Sequence, residues 1–220
     1  IMGTASMLNA ALPYWDKLKG EKKKNFKFIS VSTDEVYGSL DNDDFFDEKS
    51  QYKPNSPYSA SKASSDHLVR AWNKTYGLPT INTNCSNNYG PFQYPEKLIP
   101  LTIINAIKTK KIPVYGDGHQ VRDWLHVNDH VKALLKISKK GHIGTNYVIG
   151  GDNQISNLEI IKKVCFIIDE LKPTKLKNNR FENLVNFVKD RPGHDRRYAI
   201  DFSKLSSEVG WSPQISFDKG

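Results

Sequence analysis

The sequence predicts an α/β protein built on a doubly wound parallel sheet, with a smaller α/β region in its second half. Three observations carry this. The run Phe26 to Val31 has the length and composition of a buried strand and leads into a polar cluster, Ser32, Thr33, Asp34 and Glu35. The segment Pro57 to Tyr76 opens on Ser56-Pro57, an N-cap followed by a proline at the first helical position, and stops at Gly77. A second strand follows at Thr80 to Asn84. Strand, helix and strand in that order make a crossover unit with its two strands parallel.

The remaining elements follow in order. The chain opens on a helix, Ile1 to Leu18, in which Met7, Leu8, Ala11, Leu12 and Trp15 recur at helical spacing and Lys19-Gly20 mark the end. Gly38 closes the turn after the first strand, and Leu40 to Tyr52 reads as an acidic loop. Beyond Gly90 the texture changes. Pro91 to Pro100 is an irregular loop and Leu101 to Lys108 a helix. Pro113 to Gly118 is a short strand and turn, Val121 to Val127 a strand, and Asn128 to Lys139 a helix. Tyr147 to Gly151 is a strand, Asn157 to Leu171 an amphipathic helix, and Lys172 to Asn183 a polar loop. Two regions result, 1–90 and 91–220, with some elements of the second returning to the sheet of the first.

Composition points to a soluble, cytoplasmic enzyme. With 220 residues, 38% of them apolar and 25% charged, the chain can bury a sizeable core. No apolar run approaches the length of a membrane span, and no signal peptide is visible. Cys85 and Cys165 are the only cysteines, too few for a disulfide framework. The net charge of +8 is compatible with nucleic acid or an anionic ligand. Outside Lys22-Lys23-Lys24 and the stretch Lys172 to Arg180 the lysines are dispersed, so solvated surface is the better reading and no nucleic-acid partner is expected. His67, His119, His126, His130 and His142 show no ligand spacing, and no metal site is expected.

Two pairs of residues suggest proton chemistry. Tyr58 and Lys62 stand one helical turn apart. A free phenol ionises at ~10, and a nearby ammonium lowers that value, so Tyr58 could act as a base toward a hydroxyl. A tyrosine and a lysine on a helix surface would look the same. Asp34 and Glu35 are adjacent at the carboxyl end of a strand, where parallel sheets hold ligands. Both can face one ligand only if the strand ends or curls at Thr33, because side chains alternate along a strand. Two close carboxylates push one pKa up, which gives an acid and a base. An acidic loop would also account for them.

Taken together, several motifs resemble the nucleotide-sugar 4,6-dehydratases, a branch of the extended short-chain dehydrogenase/reductases. They are Ser32-Thr33-Asp34-Glu35-Val36-Tyr37-Gly38, Tyr58-Ser-Ala-Ser-Lys62, Asn84 to Pro91, Pro95 to Pro100, Arg122-Asp-Trp-Leu125 and Asp190 to Asp201. They occur in the family's order and span essentially the whole chain. The resemblance implies a partial Rossmann-like NAD domain over 1–90 and, over 91–220, a region that binds the nucleotide sugar. No Gly-x-Gly-x-x-Gly turn occurs, so the chain is expected to begin after the family's pyrophosphate-binding unit.

The resemblance also implies roles. NAD is the cofactor, held by Ser32, Tyr58, Lys62 and Asn88. Tyr58 takes the O4 proton as C4 of the hexose is oxidised, with Lys62 tuning it and Thr33 bonding the O4 region. Glu35 removes the C5 proton, and Asp34 protonates the departing C6 hydroxyl. Asp34 favours a dTDP- or UDP-glucose substrate, because GDP-mannose-type dehydratases and decarboxylases resemble Thr-Ser-Glu here. A 4-epimerase would not need the acid pair, and a non-catalytic remnant would not need NAD. Arg122 suits a diphosphate through its bidentate guanidinium, and Arg191 and His194 resemble a second diphosphate contact. Asn87, Lys97, Leu98, Pro113, Tyr115 and Asn157 match sugar and base contacts. The first helix and Pro57 to Tyr76 are expected to pair two subunits in a four-helix bundle, with Leu8, Leu12, Leu68 and Trp72 facing outward.

Overall fold

Strands from both regions of the chain pair in parallel, and this pairing builds the floor on which the polar residues sit. The computed structural model describes residues 1–41, 43–171 and 180–220. Helix α1 (Met2–Lys17) and the short α2 (Gly20–Asn25) precede strand β1 (Phe28–Thr33). Helix α3 (Pro57–Tyr76) crosses to β2 (Thr80–Cys85). Then follow β3 (Asn87–Tyr89), α4 (Leu98–Ile107), β4 (Ile112–Tyr115), β5 (Val121–His126) and α5 (Val127–Lys140). The chain continues through β6 (Asn146–Ile149), β7 (Gln154–Ser156), α6 (Asn157–Leu171), β8 (Val185–Val188) and α7 (Ser203–Val209).

The main sheet has the order β1-β2-β6, all parallel, in register from Phe28 opposite Thr80 to Thr33 opposite Cys85. Thus β6, from the second region, joins the first sheet. A second sheet, β3-β5-β7, pairs β3 with β5 in parallel and β5 with β7 antiparallel, and β4 pairs with β8 in parallel. One apolar core, with Ile81, Leu125, Ile137, Tyr147 and Ile149, lies under the main sheet. Another, with Tyr89, Trp124, Ile160, Ile161 and Cys165, lies under the second region.

Local chemistry explains most boundaries. Ser56 and Ser59 form a reciprocal capping box at the start of α3, each backbone N–H donating to the other's hydroxyl at 3.1 Å. Gly77, at φ 71°, ends the helix in the left-handed conformation. Helix α4 starts three residues earlier than expected. Pro100 falls in its first turn, where no backbone N–H is owed to the helix, so the proline does not exclude it. Helix α2 was not expected; Glu21 in its first turn and Lys22 to Lys24 in its last complement the helix dipole. The loop expected over Lys172 to Asn183 lies outside the described residues up to position 179, and Phe181–Leu184 is a 3₁₀ turn.

One expectation is corrected. Leu8, assigned to the outer face of α1, is wholly buried with Val69 and Leu78, and Leu12, Leu68 and Trp72 pack around them. These side chains fasten α1 to α3. The apolar residues that do face outward on the two helices are Met2, Met7, Tyr14, Tyr58 and Tyr76. Among the described residues no helix is long and apolar enough to cross a membrane.

Candidate active site

The strand does curl where the chemistry needs it to. At the end of β1 the chain enters a 3₁₀ turn, Asp34–Tyr37, capped by Thr33, whose Oγ1 accepts the Glu35 N–H at 3.3 Å. The turn breaks the alternation of the strand, and Gly38, at φ 85°, closes it against the Lys53 carbonyl where any Cβ would collide. Asp34 is 2% exposed and takes one hydrogen bond, from Thr33 Oγ1 to its Oδ1 at 3.3 Å, while its Oδ2 has no partner among the described residues. Burial, then the charges of Glu35 and Asp123, push its carboxyl up to about 8. Glu35 is also raised by burial, but Arg122, Arg191 and Lys97 pull it back down. Burial thus favours the neutral form of Asp34, and the cations offset part of the same effect at Glu35.

Helix α3 presents Tyr58, Lys62 and Asp66 at four-residue spacing to the end of β1. The expected tuning of Tyr58 by Lys62 is not seen. The Lys62 ammonium donates to the Val31 carbonyl at 2.8 Å, and the Tyr58 phenol is raised, by burial first and then by Glu35. The reason is geometric: helical spacing brings the two stems together, but the ammonium lands on a strand carbonyl and the phenol looks toward carboxyl groups. The Ser32 hydroxyl, expected at the cofactor, is buried and donates to Asp66 at 2.9 Å. Asn88 is likewise engaged inside the protein. Its Oδ1 lies 2.9 Å from His130 Nδ1, and its Nδ2 donates to the Ser86 carbonyl and to Cys85 Sγ. Burial pushes the Cys85 thiol up to about 12, which favours its neutral form.

The second region brings cations to the same place. Lys97, Arg122 and Arg191 all act on Glu35 from segments far apart in sequence. Arg122 is 6% exposed; it donates to the Val121 and Asp195 carbonyls at 2.8 Å each and lies over the Tyr198 ring at 4.3 Å. Arg191 lies over the Tyr115 ring at 5.8 Å. His194 approaches Asp190 Oδ1 with Nδ1 at 2.6 Å, and its buried Nε2 has no partner among the described residues. Asn87 Oδ1 is also buried, with no partner among the described residues. By contrast, Leu98 packs into the core of the second region, Pro113 lies within β4, and Asn157 opens α6 with its backbone N–H donating to the Gln120 carbonyl.

The histidines occupy unrelated positions: His67 beside Tyr52, His119 beside Asp117, His126 capping α5, His130 on Asn88 and His142 near Glu208. Among the described residues no group of three or more His, Cys, Asp or Glu side chains is placed to hold a metal ion. Three buried residues escaped the sequence reading. Asp66 sits at the next α3 turn after Lys62, and the four-residue spacing was the available signal. His130 fixes the Asn88 amide. Asp123 accepts the Gly151 and Asn153 N–H groups at 2.8 and 2.9 Å and adds charge near Asp34. His130 has no sequence signal of its own, and Asp123 stands in the Arg122-Asp-Trp-Leu125 motif without a role assigned to it there.

The fold and the site together are a parallel sheet with an acid pair at a strand end, faced by a Tyr/Lys helix and approached by three cations. The chain belongs to the GDP-mannose 4,6 dehydratase family, whose model matches residues 1–220. A dTDP-glucose 4,6-dehydratase of Neisseria meningitidis is 54% identical over the whole of this chain and 62% of its own length. The crystal structure of a dTDP-glucose 4,6-dehydratase from Bacillus anthracis in complex with NAD superposes with a TM-score of 0.84 at 46% identity, covering 100% of this chain and 64% of that one. The enzyme from Streptomyces venezuelae with NAD and TYD bound gives 0.86 at 40% identity, covering 99% and 62%. The chain thus spans less than two thirds of the length of these relatives.

Proposed function

We propose that the complete protein converts dTDP-glucose to dTDP-4-keto-6-deoxyglucose with NAD as a cofactor that is regenerated in each cycle. The observation that carries this is the geometry of the acid pair: Asp34 sealed in the turn after β1, with one oxygen that has no partner among the described residues, stands next to Glu35, on which Arg122, Arg191 and Lys97 converge; burial raises both carboxyls, Asp34 to about 8, and the three cations offset part of that rise at Glu35. Elimination of water needs this combination, a base for the C–H and a donor for the departing hydroxyl. Relatives at 53 to 54% identity that carry the name dTDP-glucose 4,6-dehydratase support the same reading.

The residues present suit the cofactor. Among the described residues the Tyr58 phenol has no hydrogen-bond partner, and Lys62 spends one of its three N–H bonds on Val31, so both keep valences for a ribose and a substrate hydroxyl. NAD, when bound, would accept the hydride from C4 and return it to C6 once water has left, as Glu35 gives its proton back to C5; its oxidised ring carries a positive charge. Tyr58 needs added positive charge to become a base, because at rest it is held protonated. It then takes the O4 proton as C4 becomes a ketone. That ketone acidifies the C5 hydrogen, which Glu35 removes, while Asp34 delivers its proton to the C6 hydroxyl so that water leaves. Arg122, Arg191 and His194 suit the diphosphate, and Asn87, Lys97 and Tyr115 the sugar and base.

The test is direct. The purified complete protein, supplied with dTDP-glucose and NAD, should yield a product lighter by one water in mass spectrometry, without net NADH. Absence of that product with NAD bound would refute the reading. A second copy is the proposed partner, joined through the outward Met7, Tyr14 and Tyr76 of α1 and α3. Sedimentation of the complete protein at micromolar concentration should give a dimer, and a monomer would exclude this interface.

A further inference from the structure

The most heavily bonded carboxylate in the first region is Asp66, to which no catalytic step assigns a part. It is 2% exposed. Its Oδ2 accepts three hydrogen bonds, from Ser32 Oγ at 2.9 Å, Tyr52 Oη at 3.0 Å and Asn84 Nδ2 at 3.0 Å. The second N–H of Asn84 goes to the Thr33 carbonyl at 3.2 Å, and Asn82 Nδ2 reaches the Asp66 carbonyl at 3.1 Å. One oxygen therefore joins four pieces of the chain: α3, the end of β1, β2, and the loop that carries Tyr52. Ser32 and Thr33 are the two residues that lead into the acid pair. Tyr58 and Lys62 lie on the same face of α3, two turns and one turn before Asp66.

We propose that Asp66 is a positioning residue that sets the distance between the Tyr58 helix and the Asp34–Glu35 turn. This rests on the dehydratase reading. One substrate must meet Tyr58 at O4, Glu35 at C5 and Asp34 at C6, so helix and turn have to stand at a fixed separation. Lys62 ties α3 to β1 at the Val31 carbonyl, but among the described residues no side chain of the Asp34–Glu35 turn bonds to α3; Asp66 ties the helix to the residues that lead into the turn, through Ser32 and Asn84. Its Oδ1 has no partner among the described residues, so an amide nitrogen can occupy that position while the remaining oxygen keeps its three donors.

Three variants and two readouts decide the matter. Asp66→Ala should lower kcat by roughly 100-fold, the cost of a displacement of about 1 Å, with KM for dTDP-glucose nearly unchanged because the cations that suit the diphosphate lie elsewhere. Asp66→Asn should restore most of that loss. Ser32→Ala, a mild change that keeps the fold if Asp66→Ala does not, should lower kcat alone by a smaller factor. Added to Asp66→Ala it should cost nothing more, since both cut one tie. The second readout is amide hydrogen exchange. Residues 32–37 should lose protection in Asp66→Ala, or in Ser32→Ala where the first does not fold, while α3 keeps its own. Unchanged kcat and unchanged protection would overturn the proposal, as would a loss in Asp66→Asn equal to that in Asp66→Ala. If the wild type makes no keto-deoxy product, the functional reading fails, and the exchange data still judge the tie itself.

Discussion

The acid pair and the cations around it are held in opposite ways. Asp34 is sealed in the turn after β1, with Thr33 as its one hydrogen-bond partner, and burial keeps it neutral. Arg122 is also buried but stays charged, because the Val121 and Asp195 carbonyls and the face of Tyr198 replace its water. The first arrangement stores a proton and the second stores a charge. The difference shows how a site can hold an acid and a cation side by side: among the described residues the carboxyl has one hydrogen bond, and the guanidinium has two and a ring face. Asp195, whose carbonyl serves Arg122, is itself fixed by Asn55 at 2.6 Å and Tyr198 at 2.5 Å, so the cation stands on a rigid base.

The sharpest way to break this comparison is to separate the acid from the base. Glu35→Gln leaves Tyr58 and the cofactor positions intact but cannot remove the C5 proton. Enzyme-bound NADH should accumulate on mixing with substrate, and the C5 hydrogen should not exchange with deuterated water. Asp34→Asn keeps the base and loses the proton donor. It should permit C5 exchange while slowing elimination by roughly 10²- to 10⁴-fold. Stopped-flow absorbance and mass spectrometry read the two outcomes. If Glu35→Gln turns over normally, or the two variants behave alike, the division of roles is wrong.

On the side of the cations the expected effect is smaller and appears in binding. Arg122→Ala should weaken substrate binding by ~2–5 kcal/mol, the typical loss when one partner of a buried charge pair is removed. It should also raise the pKa of Glu35, because Arg122 is the strongest of the charges that lower it. Calorimetry with dTDP measures the first, and the acid limb of the pH–rate profile the second. A variant that binds dTDP as wild type does would remove Arg122 from the diphosphate site.

The same contrast explains what the sequence revealed. The end of β1 and the Tyr/Lys helix are local: residues 28–38 and 57–76 carry the strand, the turn and the capping box within short spans, so elements and candidate residues could both be read. The curl at Thr33 was the condition stated for Asp34 and Glu35 to act together, and the 3₁₀ turn meets it. What could not be read depends on where a long side chain ends or on distant segments meeting. Lys62 reaches Val31 because the strand carbonyl lies beneath it, which helical spacing does not encode. Short strands such as β3, β7 and β8 exist through partners supplied from elsewhere, and three or four residues carry no periodicity of their own. Ser32 lies next to Thr33 in sequence but turns away toward α3, as alternation along a strand requires.

The smallest expected effect, and the most specific to the buried acid, is in pH. Asp34 donates only while it is protonated, and its carboxyl is raised from 3.8 to about 8, by burial first and then by Glu35. Elimination should therefore fall on the alkaline side, by roughly twofold between pH 7 and pH 8, about fivefold over the next unit and close to tenfold per unit above that, and this limb should be absent in Asp34→Asn. Stability has the same sign. A carboxyl that holds its proton more tightly when folded favours the fold at low pH, and that contribution is lost as pH rises from the ordinary value through about 8. Between pH 5 and pH 8 the melting temperature of the wild type should drop more than that of Asp34→Asn, which has no proton to lose there. Parallel melting curves for the two proteins over that range would show that Asp34 is already ionised at neutral pH, and the proton would then have to come from another group.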